Sequence, residues 1–97
     1  MLDIAKVNEI VDRAASAILK KERLSRVYSE PTTDSEGQEA LRVTVVLRGN
    51  YAQVDGDTAL DTIVGINRAL LSSGEDRFPI VEFATEEELA VNVDPES

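Results

Sequence analysis

The sequence contains neither histidine nor cysteine, and these two absences remove much of the chemistry on which small enzymes rely. Without these residues the chain cannot form a Ser-His-Asp or Cys-His triad, a thiolate nucleophile, or a metal site with imidazole or thiolate ligands. Histidine is also the side chain whose ordinary pKa lies nearest neutral pH. Carboxylate, lysine, tyrosine and hydroxyl groups remain. We therefore expect the protein not to be an enzyme and to carry no cofactor.

Aromatic residues are scarce and long apolar runs are absent. Four aromatic side chains and no tryptophan leave the core to leucine, isoleucine, valine and alanine. The lack of cysteine excludes the disulfides on which small secreted domains depend. Near the first residue, Asp3, Glu9 and Asp12 interrupt the apolar positions, as no signal-peptide core allows. We expect a cytoplasmic protein that does not span a membrane.

Positive charge is also in short supply. The net charge is −9, and it is unevenly distributed. Residues 1–27 carry six basic and four acidic side chains, whereas residues 28–97 carry four basic and fifteen acidic ones. Such a surface repels phosphate backbones and anionic lipid headgroups. Glycine-rich phosphate-binding motifs are absent as well. The sequence therefore argues against nucleic acid and membrane partners.

Apolar periodicity predicts an α+β fold. Residues 2–23 have apolar side chains at helical spacing, so they are expected to form an amphipathic helix. Residues 24–29 and 41–47 alternate as strands do, the second with one buried face. Residues 30–40 between them are rich in turn formers and predict an antiparallel hairpin with a long tip.

A second helix is expected to start near Thr58 and to end before Gly74, which can adopt the left-handed conformation of a helix stop. Gly65 within it is expected to permit close packing. The residues assigned to its apolar face are Leu60, Ile63, Val64, Asn67, Leu70 and Leu71.

Residues 78–83 form a predicted third strand, for which Pro79 suggests an edge position. Thr85 and Glu88 make a capping box, and residues 89–93 alternate as an optional last strand. The expected architecture is a two-layer sandwich of order α-β-β-α-β, with two helices on one face of a mixed sheet. We assign residues 1–94 to one domain and residues 95–97 to a frayed tail.

Asp55, Asp57 and Asp61 are the densest group of oxygen ligands beside a predicted helix start. Their spacing does not match a calcium-binding loop, which would need carboxylates where Tyr51 and Thr62 stand. Acidic residues are favoured at helix N-termini by the helix dipole and the free N–H groups. We therefore interpret the three as helix-start residues and expect no metal.

The acidic surplus is concentrated in the hairpin tip and around the third strand. Charge runs of this kind are typical of solvated faces and of partner-binding surfaces. We expect a non-catalytic interaction module, of the antitoxin, immunity-protein or adaptor kind, that binds a basic surface of another protein. The candidate partner-binding residues are Glu30, Asp34, Glu36, Glu39, Glu82, Glu86, Glu87 and Glu88.

Two alternatives remain open. The chain could be a homo-oligomeric structural or accessory subunit, with the first helix packed against its symmetry mate. It could also be a small enzyme that depends on a divalent metal or that acts on carbohydrate through a pair of carboxylates.

Overall fold

The computed structural model describes residues 1–49 and 54–92. Three helices and three strands follow one another in the order α-β-β-α-β-α, so the predicted α+β class is confirmed over these residues. Their bounds are α1 (Ile4–Arg23), β1 (Leu24–Thr33), β2 (Glu39–Leu47), α2 (Gly56–Ser72), β3 (Phe78–Thr85) and α3 (Glu86–Asn92). Among the described helices, none is both long enough and apolar enough to cross a membrane.

Helix α1 begins at a side-chain cap and, near its end, has a break in its helical backbone. The Asp3 carboxylate caps it by accepting a hydrogen bond from the Lys6 N–H at 2.8 Å. Its buried stripe follows the predicted spacing and consists of Val7, Ile10, Val11, Ala15 and Leu19. At Lys20 the backbone turns to φ 66° and ψ 164°, which breaks the helical geometry. The chain thereby passes directly from α1 into β1.

The sheet has the order β1-β2-β3, with β1 antiparallel and β3 parallel to the central strand. The predicted hairpin is present, but its tip is shorter than expected because both strands run further. Asp34 closes the tip: its carboxylate accepts from the N–H groups of Glu36 and Gln38, each at 2.9 Å. Gly37 supplies the positive φ of 84° that the turn requires.

Strand β2 is buried on both faces, and the prediction of one buried face is wrong. Its helix-facing side chains pack into the core with α1 and α2, and they are Leu41, Val43, Val45 and Leu47. On the opposite face Thr44 and Val46 are 6% and 0% exposed. In register Tyr28 flanks Thr44 and Arg26 flanks Val46. Long side chains on a neighbouring strand can shield small ones on the central strand.

Helix α2 starts earlier than predicted. Asp55, and not Thr58, is its N-cap, because the Asp55 carboxylate accepts from the Thr58 N–H at 2.8 Å. The helix stop is as predicted. The Gly74 N–H binds the Leu71 carbonyl and the Glu75 N–H binds the Leu70 carbonyl, which is the Schellman pattern.

The predicted apolar face of α2 is only partly correct. The helix buries Thr62, Ile66 and Leu70, whereas Leu60, Val64 and Leu71 point away from the core and are exposed. The contact with α1 is close. A Cβ atom added to Gly65 would lie 3.3 Å from Ile18 Cδ1, so the packing role expected of this glycine is confirmed. A narrow contact of this kind leaves the flanking apolar positions outside the core.

Pro79 lies in an edge strand, as expected, since β3 pairs with β2 alone among the described strands. The optional last strand is wrong over residues 89–92, which belong to α3. The capping box explains the helix: Glu88 Oε1 accepts from the Thr85 N–H at 2.9 Å, and Thr85 Oγ1 accepts from the Glu88 N–H at 3.0 Å. Val93 and the predicted tail, residues 95–97, lie outside the described residues.

Candidate functional site

The predicted partner-binding acids do not form one surface. Asp34, Glu36 and Glu39 lie at the hairpin end of the sheet. The acids of α3, which are Glu86, Glu87 and Glu88, follow the last residue of β3 at the opposite end. Seven residue steps along β3 separate these ends by roughly 23 Å, at about 3.3 Å per residue. A partner that binds one group need not contact the other.

Most acids at the α3 end already have partners within the chain. Glu86 accepts from the Ser25 hydroxyl at 2.5 Å and from Arg26 Nε at 3.3 Å. These bonds, that from Ser25 first, hold the pKa of Glu86 below its usual range. Glu88 is the capping residue described above. Glu87 is exposed and forms no ion pair with the described residues, so one carboxylate at this end is free for a partner.

The sheet face opposite the helices is balanced in charge. Arg42 Nε lies 3.9 Å from Glu82 Oε2, and Glu30 stands opposite Arg42 in the β1–β2 register. Arg26 stacks over the Tyr28 ring, with its guanidinium carbon 5.4 Å from the ring centroid. Each acid on this face therefore has an arginine beside it. A basic partner gains little there, because the arginines offset the carboxylates.

The hairpin end combines exposed acids with an exposed aromatic ring. Asp34 is engaged in the turn, but Glu36, Glu39 and Asp76 are exposed. Phe78, the first residue of β3, is 63% exposed and lies beside Ala40, the residue after Glu39. We call Glu36, Glu39, Asp76 and Phe78 the hairpin-end patch. Asp76 and Phe78 were absent from the predicted site, which took its acids from residues 30–39 and 82–88.

A buried ion pair lies beside this patch. Arg77 binds Glu75 in a bidentate manner, with Nε–Oε2 at 2.8 Å and Nη2–Oε1 at 2.9 Å. The two residues are 9% and 2% exposed. The hydrogen bond from Arg77 is the main cause that lowers the pKa of Glu75 to about 2, and the same bond raises the pKa of Arg77. Both side chains are held charged at neutral pH.

The same ion pair anchors the start of the chain. The Leu2 N–H donates to Glu75 Oε1 at 2.8 Å, and Arg77 Nη2 donates to the Leu2 carbonyl at 2.6 Å. Contacts of this kind fix the loop between α2 and β3, and with it the direction in which Phe78 leaves the loop. Sequence patterns missed this anchor, because Leu2 is 73 positions from Glu75 and 75 positions from Arg77 in the chain.

Two of the three aspartates near the start of α2 lie at the helix start, as the sequence indicated, and Asp61 does not. Asp55 caps it, and its bonds with Thr58 lower the pKa of the Asp55 carboxyl. Asp57 lies in the first turn and Asp61 one turn later, both exposed. Within the described part of the chain, no group of three acids is arranged to hold a metal ion. The absence of a bound metal stays a prediction.

The outward face of α2 carries a row of exposed apolar side chains. Leu60, Val64 and Leu71 are 58%, 41% and 74% exposed. Asp61 and Arg68 flank them on the same face, both exposed. We call these five residues the α2 stripe. Beside Leu71, a hollow of about 280 Å³ separates the stripe from Phe78. Among the described residues, every exposed large apolar side chain except Met1 belongs to the stripe or to the hairpin-end patch, so these are the two candidate surfaces for a partner.

No protein-family model and no curated protein sequence matches this chain.

Proposed function

We propose that the protein is a non-catalytic interaction module, acting in the cytoplasm, that binds a basic surface of a partner protein through the hairpin-end patch. The observation that carries this proposal is an exposed phenylalanine at the same end of the sheet as three exposed carboxylates. Aromatic residues commonly supply the anchor of an interface, and acidic neighbours speed association with a basic partner.

The properties of the carboxyl groups support a non-catalytic role. A carboxyl that acts as a general acid near neutral pH needs a raised pKa. Asp55, Glu75 and Glu86 are the described carboxyls whose pKa values are clearly shifted, and all three are lowered. Together with the absence of histidine and cysteine, this leaves the described acids suited to hydrogen bonding and charge pairing.

The chemistry of the patch predicts the chemistry of its partner. Glu36, Glu39 and Asp76 attract lysine and arginine, and the Phe78 ring can accept a guanidinium group on its face. Arginine combines both properties, since it pairs with carboxylates and stacks on aromatic rings. We therefore expect an arginine-rich protein surface with an apolar recess that admits Phe78.

The experiment compares two charge-reversal variants in capture from a lysate. One variant combines Glu36→Lys, Glu39→Lys and Asp76→Lys in the patch. The matched control combines Glu9→Lys, Asp12→Lys and Glu22→Lys on α1, where the acids are also exposed. The net charge changes equally in both. We expect the control to retain the partner captured by the natural chain and the patch variant to lose it.

Stopped-flow association with the captured partner provides the kinetic test. Because exposed charges are screened beyond about 8 Å at physiological salt, steering by the patch should slow as salt rises. We expect the patch variant to associate at least about tenfold more slowly at low salt. Phe78→Ala should mainly speed dissociation, because it removes the anchor. An association rate that is indifferent to salt and to the patch reversal contradicts the proposal.

A further inference from the structure

The α2 stripe has a charge pattern that is complementary to itself. Asp61 lies 3.5 residues before the point midway between Val64 and Gly65, and Arg68 lies 3.5 residues after it. At 1.5 Å per residue each is about 5 Å from that midpoint along the axis. A separation of seven residues also places the two side chains within about 20° of each other around the helix.

A second copy of α2, antiparallel to the first, satisfies this pattern. Consider two antiparallel helices related by a two-fold axis perpendicular to both. Each residue then faces the residue of the second copy that lies equally far beyond the axis, on the same side of the helix pair. With the axis at that midpoint, Asp61 therefore faces Arg68 of the second copy, and the contact occurs twice. Isologous interfaces pair residues reciprocally in this way.

The apolar residues fit the same arrangement. Val64 lies next to the axis, so the two copies of Val64 contact each other. Leu60 and Leu71 lie 4.5 and 6.5 residues from the axis, on opposite sides of it. Measured along the helices, Leu60 is therefore within about 3 Å of Leu71 of the second copy. The hollow beside Leu71 can receive the Leu60 side chain of the second copy. Leucines offset by this amount interlock side by side.

Arg68 supplies the second argument for this occupant. Of the four arginines after residue 27, Arg42 pairs with Glu82, Arg77 with Glu75, and Arg48 donates to the carbonyls of Lys21 and Leu24. Arg68 forms no hydrogen bond or ion pair with the described residues. A basic partner would meet it with like charge, whereas a second copy brings a carboxylate to it.

We propose that the protein forms a two-fold homodimer in which the α2 stripes of two copies pack antiparallel. The interface differs from a seam between first helices, because the buried stripe of α1 packs in the chain's own core. Asp76 and Phe78 of the hairpin-end patch line the hollow beside Leu71. The Val64 contact and the Asp61–Arg68 pairing involve α2 alone, so variants at these positions test the dimer separately from the proposed function. The small apolar area of the interface and the charge of −9 on each copy predict a weak dimer.

Analytical ultracentrifugation between about 1 and 500 µM measures the association. We expect a concentration-dependent dimer. Val64→Asp should raise its dissociation constant at least tenfold, because it places two carboxylates beside the axis. Ala5→Asp, at an exposed position of α1, is the control and should leave the constant unchanged. Both changes are at exposed positions, so we expect both variants to fold. Circular dichroism verifies this.

Charge exchange tests the two-fold geometry. Asp61→Arg and Arg68→Asp should each weaken the dimer at least tenfold, because each brings like charges together. The double variant restores opposite charges and should recover the natural constant within about threefold. A surface that does not pair these two residues would show additive losses, and that result would overturn the antiparallel arrangement.

Single cysteines provide a direct test, because the natural chain has none. Val64→Cys should form a disulfide between copies under mild oxidation, since the two Cα atoms approach disulfide distance at the axis. Leu71→Cys should not, because its two copies lie roughly 20 Å apart along the helices. A chain that stays monomeric at 500 µM, or one that cross-links equally through both positions, refutes the proposal.

Discussion

At the scale of single residues, the most consequential side chains are the charged ones that are buried. Glu75 and Arg77 lie among fifteen acids and four bases that follow residue 27, and their neighbours in the sequence do not distinguish them. Their burial results from a meeting between the start of the chain and the loop after α2. Charged residues are rarely buried without a partner, and here each satisfies the other.

Removing the charge of Glu75 should destabilise the fold strongly. Glu75→Gln keeps the shape of the side chain but leaves the Arg77 guanidinium buried without a counter-charge. Loss of one partner of a buried pair typically costs about 3 to 5 kcal/mol. Urea unfolding at pH 7 measures the loss. Glu87→Gln, at an exposed acid, is the control and should change stability by less than about 0.5 kcal/mol.

The same residue makes stability depend on pH. The pKa of Glu75 is about 2 in the folded chain, well below the ordinary value of 4.5, so the unfolded chain binds the proton first as pH falls. The stabilisation by Glu75 is therefore fully present above the unfolded pKa and is lost as pH falls towards 2. The natural chain should lose more stability between pH 5 and pH 2.5 than Glu75→Gln does. Parallel pH profiles of the two proteins would contradict this assignment.

Substitution of Lys20 tests whether the backbone near the end of α1 is strained. Its φ of 66° with ψ of 164° lies in a region that suits glycine and costs other residues about 1 to 3 kcal/mol. Glycine also gives the unfolded chain more conformational freedom, which lowers the free energy of unfolding by about 0.4 to 1 kcal/mol. Lys20→Gly should therefore be more stable than Lys20→Ala by about 1 kcal/mol in urea unfolding. Both variants lack the lysine charge, so the comparison isolates the backbone, and the opposite order would mean that Lys20 is unstrained.

At the scale of elements, the patterns that depend on local chemistry predicted the structure well. The stripe of α1, the stop at Gly74 and the capping box of Thr85 and Glu88 are all present. Two predictions failed where the pattern was ambiguous. Alternation over residues 89–92 suggested a strand, but the box before them starts a helix. The wide apolar face of α2 admitted two orientations, and contact with α1 at Gly65 selected one of them.

The packing at Gly65 can be tested by a graded series. Gly65→Ala places its Cβ 3.3 Å from the mobile end of Ile18, while alanine gains about 1 kcal/mol of helix propensity, so the net change should be within about 1 kcal/mol. Gly65→Leu should cost about 1 to 3 kcal/mol, because it overpacks the helix contact. Thermal unfolding of both variants measures the series. A leucine variant as stable as the natural chain would show that the helices separate at this point without cost.

At the scale of the whole molecule, the placement of charge was harder to foresee than its amount. The sequence showed the acidic surplus and its two concentrations, but strand register and capping decided which acids stay free. Glu82 and Glu86 form ion pairs with arginines. Asp34 and Glu88 accept hydrogen bonds from backbone N–H groups, whereas Glu36 and Glu39 are exposed. Phe78 entered the candidate site because β3 begins beside the hairpin end. These relations join residues far apart in sequence, so composition alone could not show them.

The remaining charge should make stability rise with salt. At pH 7 a net charge of −9 repels itself, and the repulsion is greatest in the compact state. Sodium chloride shortens the screening length from about 30 Å at 0.01 M to about 3 Å at 1 M. We expect the free energy of unfolding to increase on the order of 1 kcal/mol over this range, comparable to the larger exposed charge interactions.

Urea is the denaturant for this measurement, because guanidinium is itself a salt. The control is the same titration near pH 4.3, the isoelectric point of the sequence, where net repulsion disappears. There the rise with salt should vanish. If salt instead lowers stability at pH 7, the exposed pairs Arg26–Glu86 and Arg42–Glu82 outweigh the repulsion. The acids would then act mainly within the chain, and the case for steering a basic partner would be weakened with them.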